Sequence, residues 1–200
     1  MTSIAEKKSE CERAAETGDR RVRKTRTALK SALTTLMKQK NINSISVKEL
    51  TDLADINRGT FYLHYKDVSD LLSQSEDDLL DELKATVNLY SAETVKNDPA
   101  VLFSGLYRLC RDNADMVRIL ISENGDIKFL NKLKRLMRDK CLNDWSQNLR
   151  KSGLEHFDAY YSFIVGGCLS LLQYWFADGM KESPEELAKI TAAFINQTLR

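Results

Sequence analysis

The chain has 200 residues, of which 42% are hydrophobic and 30% charged, with a net charge of +1. That composition fits one or two folded domains and excludes a disordered or fibrous chain. Cys11, Cys110, Cys141 and Cys168 stand far apart with no Cys-x-x-Cys pair, and His64 and His156 are the only histidines, which argues against a metal centre and a disulfide framework.

Two prolines and eight glycines leave long periodic stretches, and strand-like alternation is scarce, so the expected fold class is all-α. The near-neutral total hides an asymmetry. Residues 20–66 hold eleven Lys/Arg against three Asp/Glu, a balance of +8, while residues 1–19 stand at −2 and residues 67–200 at −5. A basic unit on an acidic body suits a local polyanion-binding face. Residues 1–19 are polar and are expected to form a mobile arm. No apolar signal-peptide core opens the sequence, so a cytoplasmic location is expected. Helix 1 is expected from Arg20 to Lys40, with Leu29, Ala32, Leu33 and Leu36 as its apolar stripe. Its start carries Arg23 and Lys24 among other cations. Cations at a helix N-terminus oppose the dipole, so they are candidates for holding a phosphate backbone.

From Ile45 to Lys66 the sequence reads as two short helices with a sharp turn between them. Ser46 is the first cap, Glu49 can reach back to it, and Ile45 with Leu50 forms a hydrophobic staple. Asp55 suits the left-handed turn. Asn57 caps the second helix, with Ile56 and Phe61 as its staple. This is a helix-turn-helix pattern, whose second helix enters the DNA major groove. Arg58 and Lys48 are the candidates for base edges. Ser46, Thr60, Tyr62 and Lys66 are candidates for holding phosphates or placing the helix, and His64 can do either. Gly59 lets the backbone come close, and Asn57 fixes the start.

Gly59-Thr60-Phe61-Tyr62-Leu63-His64-Tyr65 resembles the Gly-Thr-Leu-Tyr-x-His/Tyr-Phe signature of the TetR/AcrR family of bacterial transcriptional regulators. Val47-Lys48-Glu49-Leu50 and Ala54-Asp55-Ile56-Asn57 fall in the same register. The resemblance implies a three-helix DNA-binding domain over residues 20–66 and an effector-binding and dimerisation domain over 67–200. It also implies a homodimer on a palindromic double-stranded DNA operator, with affinity modulated by a small-molecule effector of unknown identity. In such regulators a lysine one residue after the next helix cap grips phosphate; here that place is Val68, and Lys66 is the substitute.

Asp67 caps the following long helix, with Asp70 in its first turn. Asp98-Pro99 marks a restart, Asn113-Ala114-Asp115 a break, and a short helix is expected from about Asp115 to Ser122. Asn124-Gly125-Asp126 is expected to cap an amphipathic helix carrying Leu130, Leu133, Met137, Cys141, Trp145 and Leu149 and ending at Gly153. Ala159 to Ala177 has no charged residue over nineteen positions. Its polar residues and acidic flanks argue against a membrane span, and a helix apolar all round is buried on all sides. Ala159, Ser162, Gly166 and Ser170 form a ridge of small residues. That ridge, with Leu187, Ile190 and Phe194 of the last helix, is the expected dimer interface. Ser183-Pro184-Glu185-Glu186 opens that last helix with cap, proline and capping box together. The segment from Tyr160 to Glu186 is similar to the TetR subgroup that includes activators of dihydroxyacetone kinase genes.

The expected function is therefore a sequence-specific DNA-binding repressor, with no cofactor. The alternative is an activator or co-regulator whose C-terminal domain binds a protein partner. The acid/base grouping of His156 with Glu155 and Asp158 is too thin to expect catalysis.

Overall fold

The computed structural model describes the backbone of residues 4–122, 127–140 and 157–198, and the side chains of residues 20–122, 127–139 and 158–197. Among the described residues all regular structure is helical, as expected. The elements are α1 (Ile4–Met37), α2 (Val47–Ala54), α3 (Arg58–Tyr62), α4 (Val68–Asn88), α5 (Ala92–Asn97), α6 (Pro99–Asp112), α7 (Ala114–Leu120), α8 (Ile127–Lys140), α9 (Phe157–Ala177) and α10 (Pro184–Thr198), with a 3-10 turn at Ile42–Ser44. Contacts divide the chain into two compact units, residues 1–75 and 76–200. No helix of the described residues is long and apolar enough to cross a membrane.

In the first unit, helix 1 begins at Ile4 and not at Arg20. The segment expected as an arm is rich in Glu, Lys and Ala, all strong helix formers, and no proline interrupts it. The stripe of Leu29, Ala32, Leu33 and Leu36 is buried, as are Ile45, Leu50, Phe61, Tyr65, Val68, Leu71 and Leu72. The α2 start follows its caps: the Ser46 hydroxyl accepts from the Glu49 amide at 3.2 Å. Both carboxylate oxygens of Glu49 also lie 2.6 Å from Lys40 Nζ, which straps the turn after α1 to α2. That contact, before the Ser46 amide, holds the Glu49 carboxyl below its ordinary pKa. Asp55 takes the left-handed conformation (φ 53°, ψ 47°). The Ile56 amide donates to the Thr51 carbonyl at 3.0 Å and the Asp55 amide to that of Asp52 at 3.4 Å, a Schellman closure.

In the second unit, Asp98 caps α6 by accepting from the Ala100 amide at 3.0 Å, with Pro99 in the first turn. The break at Asn113 is observed, and the short helix spans Ala114–Leu120. Packing at Gly105 is tight: a Cβ there would lie 2.8 Å from the Tyr90 hydroxyl. Around it Val87, Val95 and Leu102 form a buried cluster with Leu83, Tyr90, Leu106 and Met137. α10 packs along α6. Tyr107 and Thr191 share a buried hydrogen bond of 2.8 Å, and Arg108 Nε lies 2.5 Å from Glu185. Trp175 of α9 is fully buried and donates from its indole nitrogen to the Glu182 carbonyl at 2.9 Å. Gly179 (φ 79°) ends α9, with the Met180 amide on the Trp175 carbonyl at 2.8 Å. Ser183 and Glu186 cap α10 reciprocally, at 3.2 and 2.8 Å. The turn at Asn124-Gly125-Asp126, the stripe at Cys141, Trp145 and Leu149, Gly153 and His156 all lie outside the described residues, as does the side chain of Cys11.

Phe61→Ala is expected to remove about 3–5 kcal/mol of stability from the first unit, read from the urea unfolding midpoint. Lys40→Met is expected to raise the Glu49 pKa toward its ordinary value, measured by NMR titration. Because the folded-state pKa of Glu49 is depressed, the strap contributes above the unfolded-state value and its contribution fades as pH falls through the folded one. Lys40→Met should flatten that acid limb.

Candidate nucleic-acid interface

α3 is five residues long, too short to hold itself. Two groups fix it. Asn57 accepts from the Gly59 amide at 2.7 Å, and Phe61, fully buried, plugs the helix into the core of the first unit. Phe61 is edge-on to Tyr62 at 5.4 Å and tilted against Tyr65 at 5.7 Å. This anchoring turns Asn57, Arg58, Gly59 and Tyr62 outward, all exposed, with Tyr62 59% accessible. Thr60 and His64 are half-buried. A Cβ on Gly59 would sit 3.1 Å from the cap oxygen of Asn57, so the absence of a side chain there leaves room for the cap.

Ser46 and Lys48 are exposed at the start of α2. Neither Lys48 nor Arg58 has a side-chain hydrogen bond or ion pair to another described residue. Beyond α3, Asp70 accepts from the Lys66 amide at 2.9 Å, and that bond, ahead of the Gln74 contact, keeps the Asp70 carboxyl below its ordinary pKa. Asp67 accepts from the Asp70 amide at 2.8 Å. The two carboxylates thus close the turn on itself, and Lys66 stays exposed. Val68 is 6% accessible and belongs to the core. Arg23 and Lys24 are exposed on α1, before its core stripe begins at Leu29. Leu53 of α2 and Leu63, just past the end of α3, are 50% and 80% accessible, and no periodic signal distinguishes them from ordinary surface leucines.

The second candidate surface lies in the second unit. Ala159, Ser162, Gly166 and Ser170 are all exposed on one side of α9. Ile190 and Phe194 of α10 are exposed, at 39% and 58%. Leu187, expected at the dimer interface, is 1% accessible and lies in the core of the second unit, where α10 packs on α6, and not on the open face. Phe163 and Tyr174, 67% and 58% accessible, were missed. They follow Ala159 and Ser170 by four residues, so the spacing of the small-residue ridge already held the signal. The other side of α9 is buried at Leu172, Trp175 and Phe176. There Tyr161, Ile164, Val165, Cys168 and Leu169 join α4, α6, α7 and α8 around a cavity of about 160 Å³.

Residues 98–197 match the family described as transcriptional regulator C-terminal region. The chain is 26% identical over 185 residues to the uncharacterised HTH-type transcriptional regulator YxbF of Bacillus subtilis (strain 168). That alignment covers 89% of this chain but only 46% of the relative, so the chain spans about half that protein's length. The fold is that of a TetR transcriptional regulator from Streptococcus agalactiae 2603V, with a TM-score of 0.57, 22% identity and coverage of 90% of this chain and 98% of the other. It is also that of the dihydroxyacetone kinase operon activator DhaS, with a TM-score of 0.55, 19% identity and coverage of 88% and 96%.

Proposed function

Because the chain belongs to the TetR family of transcriptional regulators, we propose that it acts in the cytoplasm as a homodimeric repressor on a palindromic double-stranded DNA operator. A small-molecule effector held in the second unit changes its affinity. The observation that carries this reading is the surface around α3: exposed Arg58, Tyr62, Lys48 and Lys66 around a capped helix held from beneath by Phe61. No acidic residue occurs from Ile56 to Lys66. In this reading Arg58 and Lys48 read base edges. Ser46, Thr60, Tyr62 and Lys66 hold phosphates or orient the helix, Asn57 and Gly59 set its start, and His64 takes either role. Arg23 and Lys24 add phosphate contacts that carry no sequence information.

The dimer rests on the open side of α9 and α10. Ala159, Ser162, Gly166 and Ser170 allow a second helix to come close, and Phe163, Tyr174, Ile190 and Phe194 supply apolar area beside them. A Cβ at Gly166 or Gly167 would meet nothing within 4 Å, so packing within one chain does not call for glycine there. A second copy laying the same two helices against these would form a four-helix interface with two-fold symmetry. The reading in which the body binds a protein partner and the chain activates transcription is less favoured, because the second unit holds an apolar cavity that such a mechanism leaves unused.

Arg58→Ala is expected to cost about 1–3 kcal/mol at the preferred operator and to relax base preference, whereas Lys66→Ala weakens binding to all duplexes alike and lowers the salt slope by about one. Competition binding across a salt series, on fragments selected from the source genome, separates the two; unchanged specificity in Arg58→Ala would remove α3 from the reading role. Gly166→Leu is expected to shift the chain from dimer to monomer in sedimentation while its helical circular dichroism persists. A fully dimeric Gly166→Leu would overturn the proposed interface.

A further inference from the structure

The cavity of the second unit has a definite chemical character. Its volume is about 160 Å³, and among the described residues none of its lining side chains is charged. Leucines dominate, joined by Phe103, Phe129, Val117, Ile121 and Met137. Polar side-chain atoms come from four lining residues, the hydroxyls of Tyr107 and Tyr161 and the thiols of Cys110 and Cys168.

Both hydroxyls are already engaged within the protein. Thr191 donates to the Leu187 carbonyl at 2.8 Å, so Tyr107 donates its proton to Thr191. Tyr161 donates to the Lys134 carbonyl at 2.6 Å. Burial pushes the Cys110 thiol up to about 12 and the Cys168 thiol up to about 11, so both stay neutral and are weak donors.

These facts sort ligand classes. A carboxylate, phosphate or ammonium in this space would lose its hydration and find no counter-charge. A polyol would give up hydrogen bonds to water for walls whose hydroxyl donors are taken. An apolar group meets neither penalty, and its fit is decided by shape. An apolar cavity of about 150 Å³ accepts benzene, so a space of about 160 Å³ suits a group of that bulk.

We propose that this cavity takes an uncharged, apolar ligand group with the bulk of one hydrocarbon ring or a short alkyl chain, and that this group is what the effector presents. The inference rests on the reading of the second unit as the effector-binding part. Such a group has two sources: a free small hydrocarbon, or the tail of an amphiphile whose polar head stays outside the cavity.

The test is thermal unfolding of the full chain titrated with toluene, n-decanol or dihydroxyacetone, with DNA binding measured in parallel. A saturable rise in Tm with toluene or decanol, and none with dihydroxyacetone, is the expected result. Tighter binding of toluene assigns a free hydrocarbon, and tighter binding of decanol assigns an amphiphile tail. Leu133→Phe should fill the space and abolish the response. Should that variant not fold, Leu133→Ala enlarges the space and should shift preference from toluene toward naphthalene. A rise with dihydroxyacetone alone, or an undiminished toluene response in a folded Leu133→Phe, overturns the proposal. A chain that binds duplex DNA but responds to neither apolar probe overturns the ligand class and leaves the DNA-binding reading intact. A chain that takes up toluene but binds no duplex keeps the ligand class and removes the regulator reading.

Discussion

A five-residue helix such as α3 has no stability of its own, because nucleation fixes several dihedrals for each hydrogen bond gained. Its geometry is inherited from the fully buried ring of Phe61 and from the Asn57 cap. Those two contacts set which side chains of residues 58–62 look outward. Everything said of the first unit's surface depends on them. The neighbouring Lys40–Glu49 strap plays a supporting part by holding the turn after α1 to α2. It is a partly exposed ion pair, of the kind worth little by itself, and its value is in placement.

In the second unit one helix has two different surfaces. α9 turns Leu172, Trp175 and Phe176 into the core and Tyr161, Ile164 and Cys168 toward the cavity. Its other side carries small residues with Phe163 and Tyr174 exposed. A charge-free sequence over nineteen positions is therefore explained twice. Part of it meets the chain's own interior, and part is left open on the surface.

Caps and breaks were legible in the sequence because they are local. Ser46, Asn57, Asp67, Asp98 and Ser183 each satisfy amides within three residues, so residue type and spacing decide them. Features that depend on a distant partner were not. The capping-box spacing at Glu49 points to Ser46 alone, and the added contact to Lys40, nine positions back, has no local signature. Leu187 shares its apolar type with Ile190 and Phe194, and only the packing of α10 on α6 separates the buried one from the exposed ones. At the start of α1 the charge pattern and the helix propensity of a stretch rich in Glu, Lys and Ala point to different boundaries, and propensity decides. The cavity had no sequence signature. Its walls come from five helices, and single leucines on amphipathic stripes look alike whether they meet a neighbour or a void.

The clasp between α6 and α10 carries a mechanical consequence. The Tyr107–Thr191 hydrogen bond is buried, and the Arg108–Glu185 pair lies one residue further along α6. Sliding either helix by a turn would strand a hydroxyl away from water and break the ion pair, so relative sliding of the two is opposed. α6 walls the cavity through Leu102, Phe103 and Leu106, while α10 bears Ile190 and Phe194 on the outside. The cavity wall and the outward Ile190 and Phe194 thus belong to one hydrogen-bonded helix pair.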